Sequence, residues 1–133
     1  MFDTNVLISA ALNNNSTSGL SIKKVLEQNG YLIFSDDTFG EFSEVIKRKK
    51  LEKYWAAEKR IKFIEYILGA SHFFEPKIQV NICSDPKDNM FLSLALECQA
   101  NCIVSGDKHL LELHPFEHIP ILTPADFTTH FII

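Results

Sequence analysis

The sequence predicts an α/β protein, a three-layer α/β/α sandwich around a parallel sheet. Two observations carry that reading. Short apolar stretches alternate along the whole chain with segments of helical periodicity, the order that gives parallel strands covered by helices on both faces. Several carboxylates, Asp3, Asp88 and Asp107 among them, stand where such a stretch gives way to a helix. The carboxyl ends of parallel strands are where an open sheet gathers its functional groups.

The elements follow in order. Only Met1 and Phe2 precede Asp3, so a first strand is expected to be truncated to a stub. Such a stub brings a positive α-amino group within reach of Asp3 and leaves neighbouring backbone groups without partners. Asp3-Thr4-Asn5 offers side-chain caps for a short buried helix over Val6 to Leu12. Asn13 to Gly19 reads as a polar loop, Leu20 to Gln28 as a helix closed by Asn29-Gly30, and Tyr31 to Phe34 as a buried strand. Ser35 or Asp36 caps a helix to about Lys49, with Phe39, Phe42, Val45 and Ile46 on one stripe. A further helix carries Ala57, Ile61, Ile64 and Leu68 and stops at Gly69. Phe73 to Val80 is expected to be extended.

Asp85-Pro86 opens another helix, with Phe91, Leu94, Ala95 and Cys98 on its buried side. Cys102 to Ser105 forms a strand, Lys108 to Leu113 a short helix, Pro120 to Leu122 a last strand, and Thr123-Pro124 the start of the closing helix. The 133 residues suit one domain, residues 1–133, with an aromatic core built on eleven Phe against one Trp. No apolar stretch is long enough to cross a bilayer, no export signal is visible, and three cysteines without a C-x-x-C spacing favour a reduced, cytoplasmic setting with no membrane.

Net charge is −4, which by itself argues against a nucleic-acid binder. Its distribution argues differently. Lys47, Arg48, Lys49, Lys50, Lys53, Lys59, Arg60 and Lys62 supply eight of the 13 basic residues, so a basic rim can stand beside an acidic pit. On charge alone, a solvated helical face is the simpler reading.

Taken singly, Asp88 and Asp107 read as helix caps or first-turn residues; Thr123-Pro124-Ala125-Asp126 repeats the grammar of Asp85-Pro86-Lys87-Asp88. Glu41 differs, lying inside its helix at the border of the apolar stripe, where it needs a metal or a buried hydrogen bond. Glu44 falls on the far side, within i+4 of Arg48, as a surface ion pair and a reserve candidate. Four carboxylates in one crevice repel unless a hard divalent cation, Mg²⁺ or Mn²⁺, sits between them. His109, His114 and His118 lack a strong zinc spacing and read as surface and loop residues, and no Ser/His/Asp triad or Gly-rich phosphate loop can be assembled.

The stretches DTNVLISAAL, GEFSEVIKRKK, DPKDNMFLSLA, VSGDKHLL and IPILTPADF cover nearly the whole chain. In that order and spacing the chain resembles the PIN domain, a small metal-dependent nuclease fold, and within it the bacterial and archaeal toxins of toxin–antitoxin pairs. The resemblance implies Mg²⁺ or Mn²⁺ held by Asp3, Glu41, Asp88 and Asp107, which serve as catalytic and metal-binding residues. Asn5 and Ser105 are auxiliary polar positions and Asp85 an outer-sphere helper. It implies an endoribonuclease hydrolysing single-stranded RNA, with Lys47, Arg48, Lys49 and Lys50, on the same helix as Glu41, tracking the backbone. An antitoxin protein and a homodimer are the partners to expect. A non-catalytic PIN-like scaffold is the alternative, favoured by the shortened first strand; an Asp-nucleophile phosphatase is a third reading, weakened by the absence of D-x-D after the first strand.

Overall fold

Alternation of side chains along short strands sets the architecture. In the computed structural model, which describes residues 1–131, β1 (Leu32–Phe34) pairs in parallel with β2 (Ser71–Phe73), and β3 (Ile103–Val104) pairs in parallel with β4 (Ile121–Leu122). The last two positions of the expected domain lie outside the described residues. Leu32 and Phe34 belong to one apolar cluster and Ile33 to the other. Val104 likewise separates from Ile103, and Leu122 from Ile121. A period of two dividing strand residues between two cores means helices cover both faces. This is the expected three-layer α/β arrangement.

The first core receives α1 (Thr4–Leu12), α2 (Thr17–Glu27), α3 (Asp36–Ile46), α4 (Ala57–Gly69) and α7 (Pro124–His130); the second receives α5 (Asn89–Cys98) and α6 (Lys108–Leu111). Phenylalanines dominate the first. Phe34 stacks on Phe42 at 6.1 Å and on Phe73 at 5.8 Å, with Phe39 edge-on to Phe34 at 5.3 Å. Phe42 is fully buried, so its truncation to alanine is expected to cost about 3–5 kcal/mol.

Caps written in the sequence start the helices. Side chains of Asp3, Ser16, Ser35 and Thr123 accept from backbone N–H groups of α1, α2, α3 and α7. Because Ser16 caps α2, that helix begins earlier than the polar run suggests. Gly19 is required there, since a Cβ would come within 2.2 Å of the Asn14 carbonyl oxygen.

Three expectations are corrected. The expected helix to Lys49 ends at Ile46, with Lys47 at its C-cap and Arg48 extended (φ −62°, ψ 138°), so Lys47, Arg48, Lys49 and Lys50 do not share a helix with Glu41. Leu51 and Trp55 are buried, and the 3₁₀ turn Lys49–Leu51 brings the chain back to bury them. Phe73 to Val80 is not a strand: β2 is Ser71–Phe73, and beyond it the chain is mostly exposed and irregular. The stub at Phe2 makes one parallel bridge to Val104 and satisfies it, Val104 N–H donating to Met1 O at 2.8 Å and Asp3 N–H to Val104 O at 3.0 Å. Its α-amino group donates to the Cys102 carbonyl at 2.8 Å instead of approaching Asp3, because the extended stub points the two in opposite directions along β3. Among the described residues no helix is long and apolar enough to cross a membrane.

Candidate metal centre

The sheet ends where β3 and the Phe2 bridge deliver Ser105 and Asp3 side by side. Asp3 is buried, 5% exposed, and both its oxygens are occupied: Oδ1 accepts from Val6 N–H at 3.0 Å and Oδ2 from the Ser105 hydroxyl. The same Ser105 oxygen accepts from Asp107 N–H at 2.9 Å. One buried serine therefore joins two carboxylate residues separated by more than a hundred positions. Burial pushes the Asp3 pKa up, against the pull of the Ser105 and Val6 hydrogen bonds, and the charges of Asp107 and Glu41 push it further.

Asp107 caps α6, accepting from His109 N–H at 2.9 Å. Asp85 accepts from Lys87 N–H at 3.2 Å and opens the 3₁₀ turn Pro86–Asp88. In such a turn, side chains at i and i+3 eclipse, so Asp85 and Asp88 project on the same side. Oxygens of Asp85, Asp88 and Asp107 lie within 4.8 Å of one another.

The Asp88 carboxyl is the least satisfied group in this set. It caps nothing, and its Oδ2 is buried without a hydrogen-bond partner among the described residues. Its pKa is pushed up to about 7 by desolvation first, then by its hydrogen bond with Asp107 and the charges of Asp107, Asp85 and Asp3. The same hydrogen bond holds the Asp107 pKa below its ordinary value. An acidic pair sharing one proton is what like charges at this range require when nothing positive stands between them. An all-oxygen set with an orphaned buried carboxylate oxygen fits a hard divalent cation.

Glu41 approaches from α3. Its Oε2 accepts from the Thr4 hydroxyl at 2.5 Å, a part-buried hydrogen bond, and its charge reaches Asp3. Thr4 was legible from the sequence only as a cap neighbour, and its role in holding Glu41 has no local sequence signal. Asn5 and Glu44 are exposed, and Arg48 lies outside the helix, so the i+4 pairing of Glu44 with Arg48 is not set up. Lys47, Arg48, Lys49 and Lys50 are all exposed, beyond the end of α3. His109, read as a surface residue, is half-buried, its Nδ1 2.8 Å from Ser84 Oγ, because α6 packs it against the loop before Asp85.

Residues 1–109 match the family model described as PIN domain. The chain is also 31% identical over 140 residues to an uncharacterized protein of Methanocaldococcus jannaschii, an alignment covering 98% of this chain and 90% of that protein. No solved structure matches it. PIN domains are generally nucleases that use divalent metals, in keeping with the aspartate cluster described above. By this match over most of its length, joined to the parallel α/β fold, the chain belongs to the PIN-domain family.

Proposed function

We propose that the protein is a Mg²⁺- or Mn²⁺-dependent endoribonuclease that hydrolyses phosphodiester bonds of single-stranded RNA, acting as the toxin of a toxin–antitoxin pair. The observation that supports it most is Asp88, a carboxylate whose buried Oδ2 has no partner among the described residues and whose oxygens lie within 4.8 Å of those of Asp85 and Asp107. Asp85, Asp88 and Asp107 would hold the ion, with Asp3 and Glu41 completing the acidic wall. A divalent ion so held supplies acidity to water and neutralises charge on a phosphodiester.

The chain's own groups prepare that chemistry. Ser105 fixes the Asp3 carboxylate and the Asp107 backbone in one arrangement. Thr4 holds the Glu41 carboxylate toward the same crevice, where it can orient water. Asp88, whose pKa is raised to about 7, would have to give up its proton to hold a cation, so binding would be coupled to proton release. The exposed Lys47 to Lys50 segment tracks the phosphate backbone without reading sequence.

The test is an incubation of single-stranded RNA with and without EDTA, beside the Asp88→Asn variant. Cleavage that needs the metal and vanishes in the variant supports the reading. A protein that neither cuts RNA nor takes up Mg²⁺ by calorimetry is instead a PIN-like scaffold. The toxin assignment rests on the sequence resemblance; finding an adjacent gene for a short DNA-binding partner would support it.

A further inference from the structure

A groove of ≈ 540 Å³ lies between the C-terminal end of α1, the start of α2 and the face of α4. Four aromatic side chains are among the described residues that line it. Trp55 and Phe63 make the floor, with ring centroids 6.1 Å apart, and Tyr66 continues the row at 6.2 Å from Phe63. Tyr54 and Tyr66 rise at the walls, 66% and 46% exposed, though a folded chain gains nothing for its own core from rings left in water. The charged side chains lining it among the described residues are Lys23, Lys59 and Lys62, with no carboxylate, in a chain whose net charge is −4. Lys53 lies over the Tyr54 ring at 5.0 Å.

We propose that this groove is a binding track for single-stranded nucleic acid, with Tyr54 and Tyr66 stacking on unpaired bases and Lys23, Lys59 and Lys62 meeting the phosphates. Exposed aromatic faces beside a cationic rim are the combination that holds single strands without reading sequence. Duplexes, whose bases are already stacked, cannot use the rings. The track deepens the nuclease reading, on which it rests for the strand's destination. Helix α1 starts at the acidic crevice and ends in the groove, about 12 Å away at 1.5 Å per residue. A strand lying in the groove thus has its next phosphates near the carboxylates, and the exposed Lys47 to Lys50 segment leads along the chain into Tyr54 and Trp55 of the groove.

The experiment is fluorescence anisotropy with a labelled single-stranded oligouridylate, in EDTA, so that binding is read without cleavage. Tyr54→Ala with Tyr66→Ala is expected to weaken binding about tenfold or more in a protein that circular dichroism shows still folded at the assay temperature. Lys59→Gln with Lys62→Gln is expected to lower the salt slope by about 1.4, at about 0.7 for each phosphate no longer neutralised. A 5-iodouridine strand is expected to cross-link to Tyr54, Trp55 or Tyr66, and the bound oligonucleotide to protect Lys59 and Lys62 from acetylation. Wild-type affinity and slope in both variants, equal binding of duplex, or unprotected lysines, as a groove built for a protein partner gives, overturns the proposal. Since EDTA removes cleavage from the measurement, an inactive metal centre and a groove that does not bind RNA are distinguished.

Discussion

Asp3 and Asp88 stand near each other at the starts of α1 and α5, yet the protein treats them in opposite ways. Both oxygens of Asp3 are occupied, one by the first turn of α1 and one by Ser105. Asp88 follows a proline turn whose capping is done by Asp85, which leaves its own Oδ2 buried without a donor among the described residues. A capping carboxylate stabilises its helix by about 0.5–2 kcal/mol, whereas a buried polar atom without a partner costs about 1–3 kcal/mol. The fold thus satisfies one carboxylate and retains a cost at its neighbour, a contrast that the proposed metal site would explain. Asp3 and Ser105 hold one another in place, whereas Asp88 keeps a buried oxygen that nothing among the described residues engages.

The largest effect tests that separation directly. Asp88→Asn is expected to reduce metal-dependent RNA cleavage about a thousandfold or more, since loss of an ion's charge at the reacting phosphate removes several kcal/mol of barrier lowering. In EDTA the variant is expected to melt no lower than wild type, because an amide can donate to the Asp107 carboxylate and carries no charge into the cluster. Ser105→Ala is expected to do the reverse to stability. It strips a donor from buried Asp3 and an acceptor from Asp107 N–H, and denaturant unfolding should show a loss of about 1–3 kcal/mol. A destabilised Asp88→Asn beside a neutral Ser105→Ala would invert the comparison.

Acidity gives the next test. In the folded chain Asp88 titrates at about 7, above the ordinary value of 3.8, so the protonated form is the one the fold prefers. Its contribution to stability is full below the unfolded value and is lost as pH rises through about 7. With EDTA present, the melting temperature is therefore expected to fall between pH 5 and pH 8, and more weakly in Asp88→Asn, as scanning calorimetry would register. Asp107, whose pKa is lowered, opposes this trend but is only partly buried, so solvent screens it and it contributes less. Excess Mg²⁺ should reverse the slope, since the ion binds the ionised cluster and its affinity rises with pH up to about 7. A flat profile without metal would mean that Asp88 shares no proton in the folded chain.

The two acids also show what the sequence could and could not disclose. Caps, apolar stripes and strand ends are local, and Asp3, Ser35, Asp85, Asp107 and Thr123 all cap as their spacing predicts. The early end of α3 was not legible, because no glycine or proline marks Lys47; burial of Leu51 and Trp55 decides it from outside the helix. The position of Asp85 in the cluster depends on a 3₁₀ turn in place of an α-helical one, a difference of hydrogen-bond pattern that residue types leave open. Ser105 was visible as a polar residue after a strand. Its bond to Asp3 required β3 to lie beside the Phe2 bridge, a contact across the whole chain.

The smallest contrast lies within α3. Glu41 and Glu44 are one turn apart and chemically alike, but only Glu41 is held by the buried Thr4 hydroxyl and close enough to raise the Asp3 pKa. Glu44 is exposed on the opposite border. Glu41→Gln keeps the Thr4 hydrogen bond through its carbonyl oxygen and removes only the charge, so cleavage is expected to fall about tenfold, the scale of a group that tunes a metal's surroundings. Thr4→Val keeps the charge and removes the tether, and should fall by a lesser factor. Glu44→Gln is expected to leave the rate at a given Mg²⁺ concentration unchanged. Initial rates across a Mg²⁺ titration separate these cases, because a carboxylate acting on the cation shifts the half-saturating concentration while one in bulk water does not. Equal losses for Glu41→Gln and Glu44→Gln would show that the helix contributes general negative charge and that the Thr4 contact selects nothing.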